Sequence, residues 1–374
     1  MSSGFHVCSE FETFRILIFS RFVGDFDGAL KLHLSHLNIS RCLNDRSGIA
    51  RAYSNIGHVY SSIKRWKDAI KYHLFELNIC RELHDRGAEA STHANLAVAY
   101  EALSMPDKAI HHFTSHLSIA RQMNDYLSES TALSNLGHFY FARREYSRAL
   151  EYYKQLLDKI QNANRTETSR SEEAKANHLL GVTYFALQQY VDALKCFEAD
   201  LELSKLMQDR VCISRAYCYV GLTKAELGDL EAALEFQKFS LCAAPNNSFN
   251  KLDAYGNIAQ VLTRKGKFYD AIQMLEKQLS LARTMLETDY EDNDSGLEDR
   301  RNELKSKQAD VLSSLAFCQK KIGGNTDLQL QSQNCQQELQ HQYQLQHAQQ
   351  QQHPPKQTLC HQHNIATTSA AGMI

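Results

Sequence analysis

Proline is scarce in this chain: only four occur in 374 residues. With so few residues that break a helix, long helices are permitted almost everywhere. An excess of charge of either sign is also missing. The formal net charge is −2, so no basic field exists to hold a nucleic acid. No apolar run is long enough to span a bilayer. The most apolar stretch near the start, FRILIFSRFV at 14–23, is short and carries Arg15 and Arg21. Glu10 and Glu12 precede it, where a signal peptide would want Lys or Arg. A cytoplasmic protein without a membrane partner is the expectation. The ten cysteines contain no CxxC pair. Cys212 and Cys218 are six apart, a spacing that puts them on different helix faces. This favours buried thiols in a reducing compartment over a zinc site or an intrahelical disulfide. Nor is there a phosphate-cradling glycine loop, an HExxH, a GxSxG or a paired-carboxylate constellation. The chain therefore reads as non-catalytic and free of cofactors.

What the sequence does contain is a repeat. Residues 51–60, 91–100 and 131–140 read RAYSNIGHVY, STHANLAVAY and TALSNLGHFY. A small residue followed by a branched aliphatic closes each unit, from Ala29–Leu30 through Ala69–Ile70 and Ala109–Ile110 to Ala271–Ile272. The period is close to 40 residues. Self-similarity at this period marks a stacked array in which each unit buries its apolar face against its neighbours. Within a unit the period is helical. Tyr53, Ile56, Gly57, Tyr60 and Ile63 form one stripe, and Ala69, Ile70, His73, Leu74, Leu77 and Cys80 form a second after a break at 64–66. The runs LNDR, LHDR and MNDY close the second helices, because Asn and Asp compete with the helix backbone. The fold expected is all-α: a right-handed superhelix of about six to seven 40-residue hairpins.

The ends depart from the period. Residues 1–23 lack the first-helix pattern, and the array proper covers 24–286. An acidic linker is expected at 287–302 and a single capping helix with a polar outer face at 303–324. From 325 to 374 the chain is Gln- and His-rich, a composition that cannot bury a core, so a disordered tail is expected.

Relative to the small residue, positions −6, −2, +1 and +5 of each first helix form a second stripe. It is directed away from the partner helix, towards the inner side of the superhelix. It reads Arg51, Asn55 and His58, then Asn95, then Asn135 and His138, then Leu179 and Val182, then Arg215, Tyr219 and Leu222, then Asn257. An amide both donates and accepts, as an extended peptide backbone requires. Leu179, Val182, Tyr219 and Leu222 suit apolar anchors, and Arg51 and Arg215 suit carboxylates. The competing reading is that Asn55, Asn95 and Asn135 merely bond neighbouring helices. Gly57 and Gly137 are read as spacers for close helix approach, and His33 and His73 as core. His111–His112 and the 360–363 tract CHQH lack a closed ligand set, so no metal site is assigned.

The pattern x-L-G-x-x-Y followed by A-x-x-x-F stands as NLGHFY at 135–140, LLGVTYF at 179–185, AIHHF at 109–113 and ALKCF at 193–197. It resembles the tetratricopeptide repeat family. The 40-residue unit is also similar to the Pins/LGN G-protein signalling modulators, although no GoLoco-type motif follows the repeats. In that group inner-face Asn and Arg residues hold an extended peptide. The resemblance would give this role to Asn55, Asn95, Asn135, Arg51 and Arg215. It implies a cytoplasmic scaffold with a protein partner and a link to the cytoskeleton, at the mitotic spindle or midbody. An RNA-binding helical array is the rival from another class, and it would need a basic groove.

Overall fold

The computed structural model describes residues 25–162, 167–246, 248–289 and 297–322. The atypical 1–23 and the 325–374 tail expected above lie outside the described residues. Fourteen helices follow one another, and no strand occurs among the described residues. They are α1 (Phe26–Cys42), α2 (Arg46–Ser62), α3 (Trp66–Glu82), α4 (Arg86–Ala102), α5 (Pro106–Met123), α6 (Tyr126–Ala142) and α7 (Tyr146–Gln161). Then come α8 (Glu167–Ala186), α9 (Tyr190–Leu206), α10 (Arg210–Glu226), α11 (Leu230–Ala243), α12 (Phe249–Arg264), α13 (Phe268–Asp289) and α14 (Leu297–Ile322). Six hairpins, α2–α3 to α12–α13, are flanked by a lone second helix, α1, and a lone first helix, α14. The acidic stretch is shorter than the sequence suggests: α13 runs to Asp289 and α14 already begins at Leu297.

The 40-residue period has a simple anatomy. In the second unit two 17-residue helices alternate with two three-residue turns. Each turn holds one residue in the left-handed region: Asn44, Lys64, His84, Ser104, Asn124 and Arg144, spaced by twenty. That residue and its successor bond back to the last helical carbonyls, as Asn44 to Arg41 and Asp45 to Ser40. The Asp of LNDR then caps the following helix. Asp45 accepts from the Gly48 amide at 2.9 Å, and Asp85, Asp125 and Asp209 cap α4, α6 and α10 likewise. The polar run therefore ends one helix and starts the next.

Sequential helices pack throughout, and first helices of neighbouring units also touch, α4 with α6 and α10 with α12. This puts first helices on the inside of the curve. The central core gathers Leu96, Phe113, Leu133, Leu136, Phe139, Tyr140 and Tyr153. The spacer reading of glycine has a direct geometric basis at Gly137. A methyl there would lie 2.3 Å from the Tyr153 ring, and one at Gly57 2.6 Å from the His73 ring. Tyr100 and Tyr140 are buried, and Tyr140 stacks on Tyr152 with centroids 5.5 Å apart. His33 and His73 are fully buried on the inward faces of α1 and α3, as core residues.

Candidate inner-face binding surface

Each first helix turns its apolar stripe to its partner helix and leaves the stripe two residues away for solvent. Ile56 and Gly57 are buried, whereas Arg51, Asn55 and His58 on the same helix are half-buried. Asn95 and Asn135 repeat this half-buried position on α4 and α6. Their neighbours on the same face, Val98 and His138, are exposed. The amides of Asn55, Asn95 and Asn135 make no hydrogen bond with any described residue. Asn257 differs: its Nδ2 donates to Cys218 Sγ at 3.1 Å and so ties α12 to α10.

The charged members are less free. Arg51 donates to Ser47 Oγ at 2.9 Å and lies 3.8 Å from Asp45. Arg215 lies 3.5 Å from the carboxylate of Asp200, which is fully buried on α9. His178 approaches the same carboxylate at 3.4 Å, and Ser204 donates to its other oxygen at 3.2 Å. Asp200 escapes the inner-face pattern because it belongs to a second helix. Its signal is a carboxylate inside the apolar stripe Ala193, Phe197, Leu201, where burial without partners would be costly. His58 is packed edge-on against His73, centroids 5.3 Å apart. Burial first, then His73, holds its imidazole below the ordinary pKa.

The C-terminal half is concave on a molecular scale. A cavity of about 390 Å³ brings together Arg215, Tyr219, Leu222 and Asn257 with Asn250, Asp253 and Gln278. Tyr219 is held there by stacking on Phe197, centroids 5.0 Å apart. Gly256, Asn257 and Gln278 also line a neighbouring cavity of about 780 Å³, walled by α14 through Lys307, Val311 and Phe317. The sequence assigns α14 only a capping role, yet its exposed Phe317 and its Lys307 extend the inner surface. Leu179 and Val182 are half-buried between the polar and cavity-bearing parts. The remaining six predicted residues are spread over α2, α4 and α6 and line neither of these two cavities.

No cluster of three metal-ligating side chains occurs among the described residues, and no described helix is long and apolar enough to cross a membrane. Comparison with known families matches the tetratricopeptide repeat over residues 48–122, 130–164 and 254–288. These three stretches match the tetratricopeptide repeat, and the all-α hairpin array is consistent with a solenoid of such repeats. No curated protein matches it significantly. Solved tetratricopeptide-like arrays share the fold. A signal-transduction ATPase with numerous domains and a tetratricopeptide repeat sensor, from Pyrococcus horikoshii, superposes with a TM-score of 0.60 at 20% identity. That match covers 71% of this chain and 40% of that one. The apo quorum sensor NprR from B. thuringiensis gives 0.56 at 17% identity, covering 87% of each chain. BtubC from P. vanneervenii gives 0.51 at 18% identity, covering 59% of this chain and 91% of that one.

Proposed function

We propose that this tetratricopeptide-repeat chain is a non-catalytic protein-interaction scaffold whose inner face holds an extended segment of a partner protein. The observation that carries the reading is the row of amides at Asn55, Asn95 and Asn135: half-buried, one per unit, and without hydrogen-bond partners among the described residues. These amides are not among the buried unpaired polar atoms, so water reaches them and they are open to pair with the backbone of an extended ligand. Tyr219 and Leu222 would take an apolar side chain in the 390 Å³ cavity.

Arg215, Arg264 and Lys307 each face a carboxylate, of Asp200, Glu226 and Asp253 respectively, which argues against a basic track for RNA. The strings RAYSNIGHVY and ALSNLGHFY resemble the long animal tetratricopeptide repeat protein 28, and the unit length resembles the Pins/LGN modulators. On that likeness the scaffold would be cytoplasmic and linked to the cytoskeleton at the spindle or midbody.

The test replaces Asn95→Ala together with Asn135→Ala in the full chain and compares proteins captured from lysate by mass spectrometry. The reading expects an unchanged melting temperature with loss of the specifically captured partner. Unchanged capture by the double variant would remove these amides from the function.

A further inference from the structure

Histidines cluster in the seam where α3, α4 and α5 meet, behind the helix that carries Asn95. His93 on α4 and His112 on α5 place Nδ1 against Nδ1 at 2.8 Å. On the other side of His93, Arg81 Nη2 of α3 lies 3.4 Å from its Nε2. His93 is almost fully buried, and His112 stacks on Tyr100 with centroids 5.3 Å apart and planes 8° from parallel.

This arrangement fixes the protons. Arginine only donates, so His93 Nε2 must accept. His93 then carries its hydrogen on Nδ1 and donates it to the bare Nδ1 of His112. A proton added to His112 at Nδ1 would set two N–H groups against each other. One added to His93 at Nε2 would confront the guanidinium. Neither ring can take a proton and keep its contacts.

We propose that the His93–His112 pair is an acid-sensitive latch that joins α3, α4 and α5 at neutral pH and releases this seam when the pair is protonated. The groups around it give little relief. From α3 comes Arg81. From α4 comes Glu89, whose carboxylate is bound by Arg81 at 3.1 Å and Arg86 at 2.6 Å. From α5 come His111 and His116. His116 is in turn engaged by Ser128 of α6 at 3.0 Å, with Asp125 beyond. Lys108 lies over Tyr100 at 5.3 Å. Among the described residues Glu89 is the carboxylate that acts on His93, and two arginines already hold it. Burial first, then Arg81, lowers the His93 pKa to about 4, and burial, then His93, lowers that of His112 to about 4. Stability from such groups is complete above the unfolded pKa of about 6.5 and is lost as pH falls towards 4. The device needs no ligand. Its release would displace Asn95, two residues from His93.

The array supplies its own control. At the equivalent positions of the next unit stand Leu133 and Tyr152, and Tyr152 stacks on Tyr140 at 6°. The variant His93→Leu/His112→Tyr would install that pair in the third unit. The experiment is amide hydrogen exchange of the full chain at pH 7.5 and 5.5, corrected for intrinsic rates. In the natural chain protection across α4–α5 should fall about tenfold per protonated imidazole, ahead of α6–α7. In the double variant that selective loss should vanish. Imidazole nitrogen resonances give a second reading even if the variant fails to fold. The proposal requires His93 as the Nδ1–H tautomer and a titration midpoint well below 6.5 for both rings. Uniform acid response of α4–α5 and α6–α7, persistence of the selective loss in the variant, or an ordinary midpoint near 6.5 would each overturn the latch.

Discussion

Replacing Gly137 by alanine separates a packing spacer from an ordinary helical glycine. In an exposed helix the change gains about 1 kcal/mol. At Gly137 the new methyl would lie 2.3 Å from Tyr153 Cε1, on a ring that is 1% exposed and has His138 beside it at 5.7 Å. Forcing a methyl into such a core costs about 1–3 kcal/mol. The third unit, which buries Ala97 and Phe113 at the corresponding positions of the same core, shows that the array can host a methyl there. Set against the propensity gain of about 1 kcal/mol, the cost leaves a net loss of about 0–2 kcal/mol. Gly87→Ala is the reference. It lies in α4, where a methyl would meet nothing closer than 3.7 Å, so it should gain up to about 1 kcal/mol. The two variants should therefore move the urea midpoint, followed by helical circular dichroism, in opposite directions. Tyr153→Leu is a further check, because in its presence Gly137→Ala should cost nothing. A Gly137→Ala chain as stable as the Gly87→Ala chain would refute the spacer argument.

Two further perturbations test the turns and the core histidines. Ser104 is exposed with φ of 56°, a conformation that favours glycine, and Gly228 already stands at the corresponding turn with φ of 88°. Ser104→Gly should stabilise the chain by about 1 kcal/mol in chemical denaturation, and a loss would contradict the turn assignment. Burial, then His36 and His58, lowers the His33 pKa to about 4. Its contribution is present above pH 6.5 and lost between 6.5 and 4. His33→Phe, which copies Phe113, should leave stability at pH 7.5 nearly unchanged and gain roughly 1–2 kcal/mol over the natural chain at pH 5.5. Parallel pH profiles for the two chains would sink that reading.

The unit was legible because its length is set by local rules. Two helices and two turns fill forty residues, and a small residue opposite a bulky side chain, such as His73, Tyr153, Phe197 or Gln237, marks the crossings. The inner-face positions follow from helix periodicity alone, so Asn55, Asn95 and Asn135 fall where the offsets put them. What depends on contacts between helices was not legible. Arg215 reads as a free cation until Asp200 is seen beneath it, and Asn257 reads like the other amides until Cys218 is found within reach. The wall that α14 adds through Lys307 and Phe317 arises only where it crosses α12 and α13. The proton arrangement of His93 and His112 likewise needs three helices in place.

The central claim is that a partner runs along the first helices and not along the second. Photo-crosslinking tests this most directly, with a photoreactive residue placed singly at Val98 or Thr131 on the inner face, or at Lys71 or Asn78, exposed on α3. Crosslinks to the captured partner from Val98 and Thr131, with none from Lys71 and Asn78, are the predicted result. Crosslinks confined to Lys71 and Asn78 would contradict it.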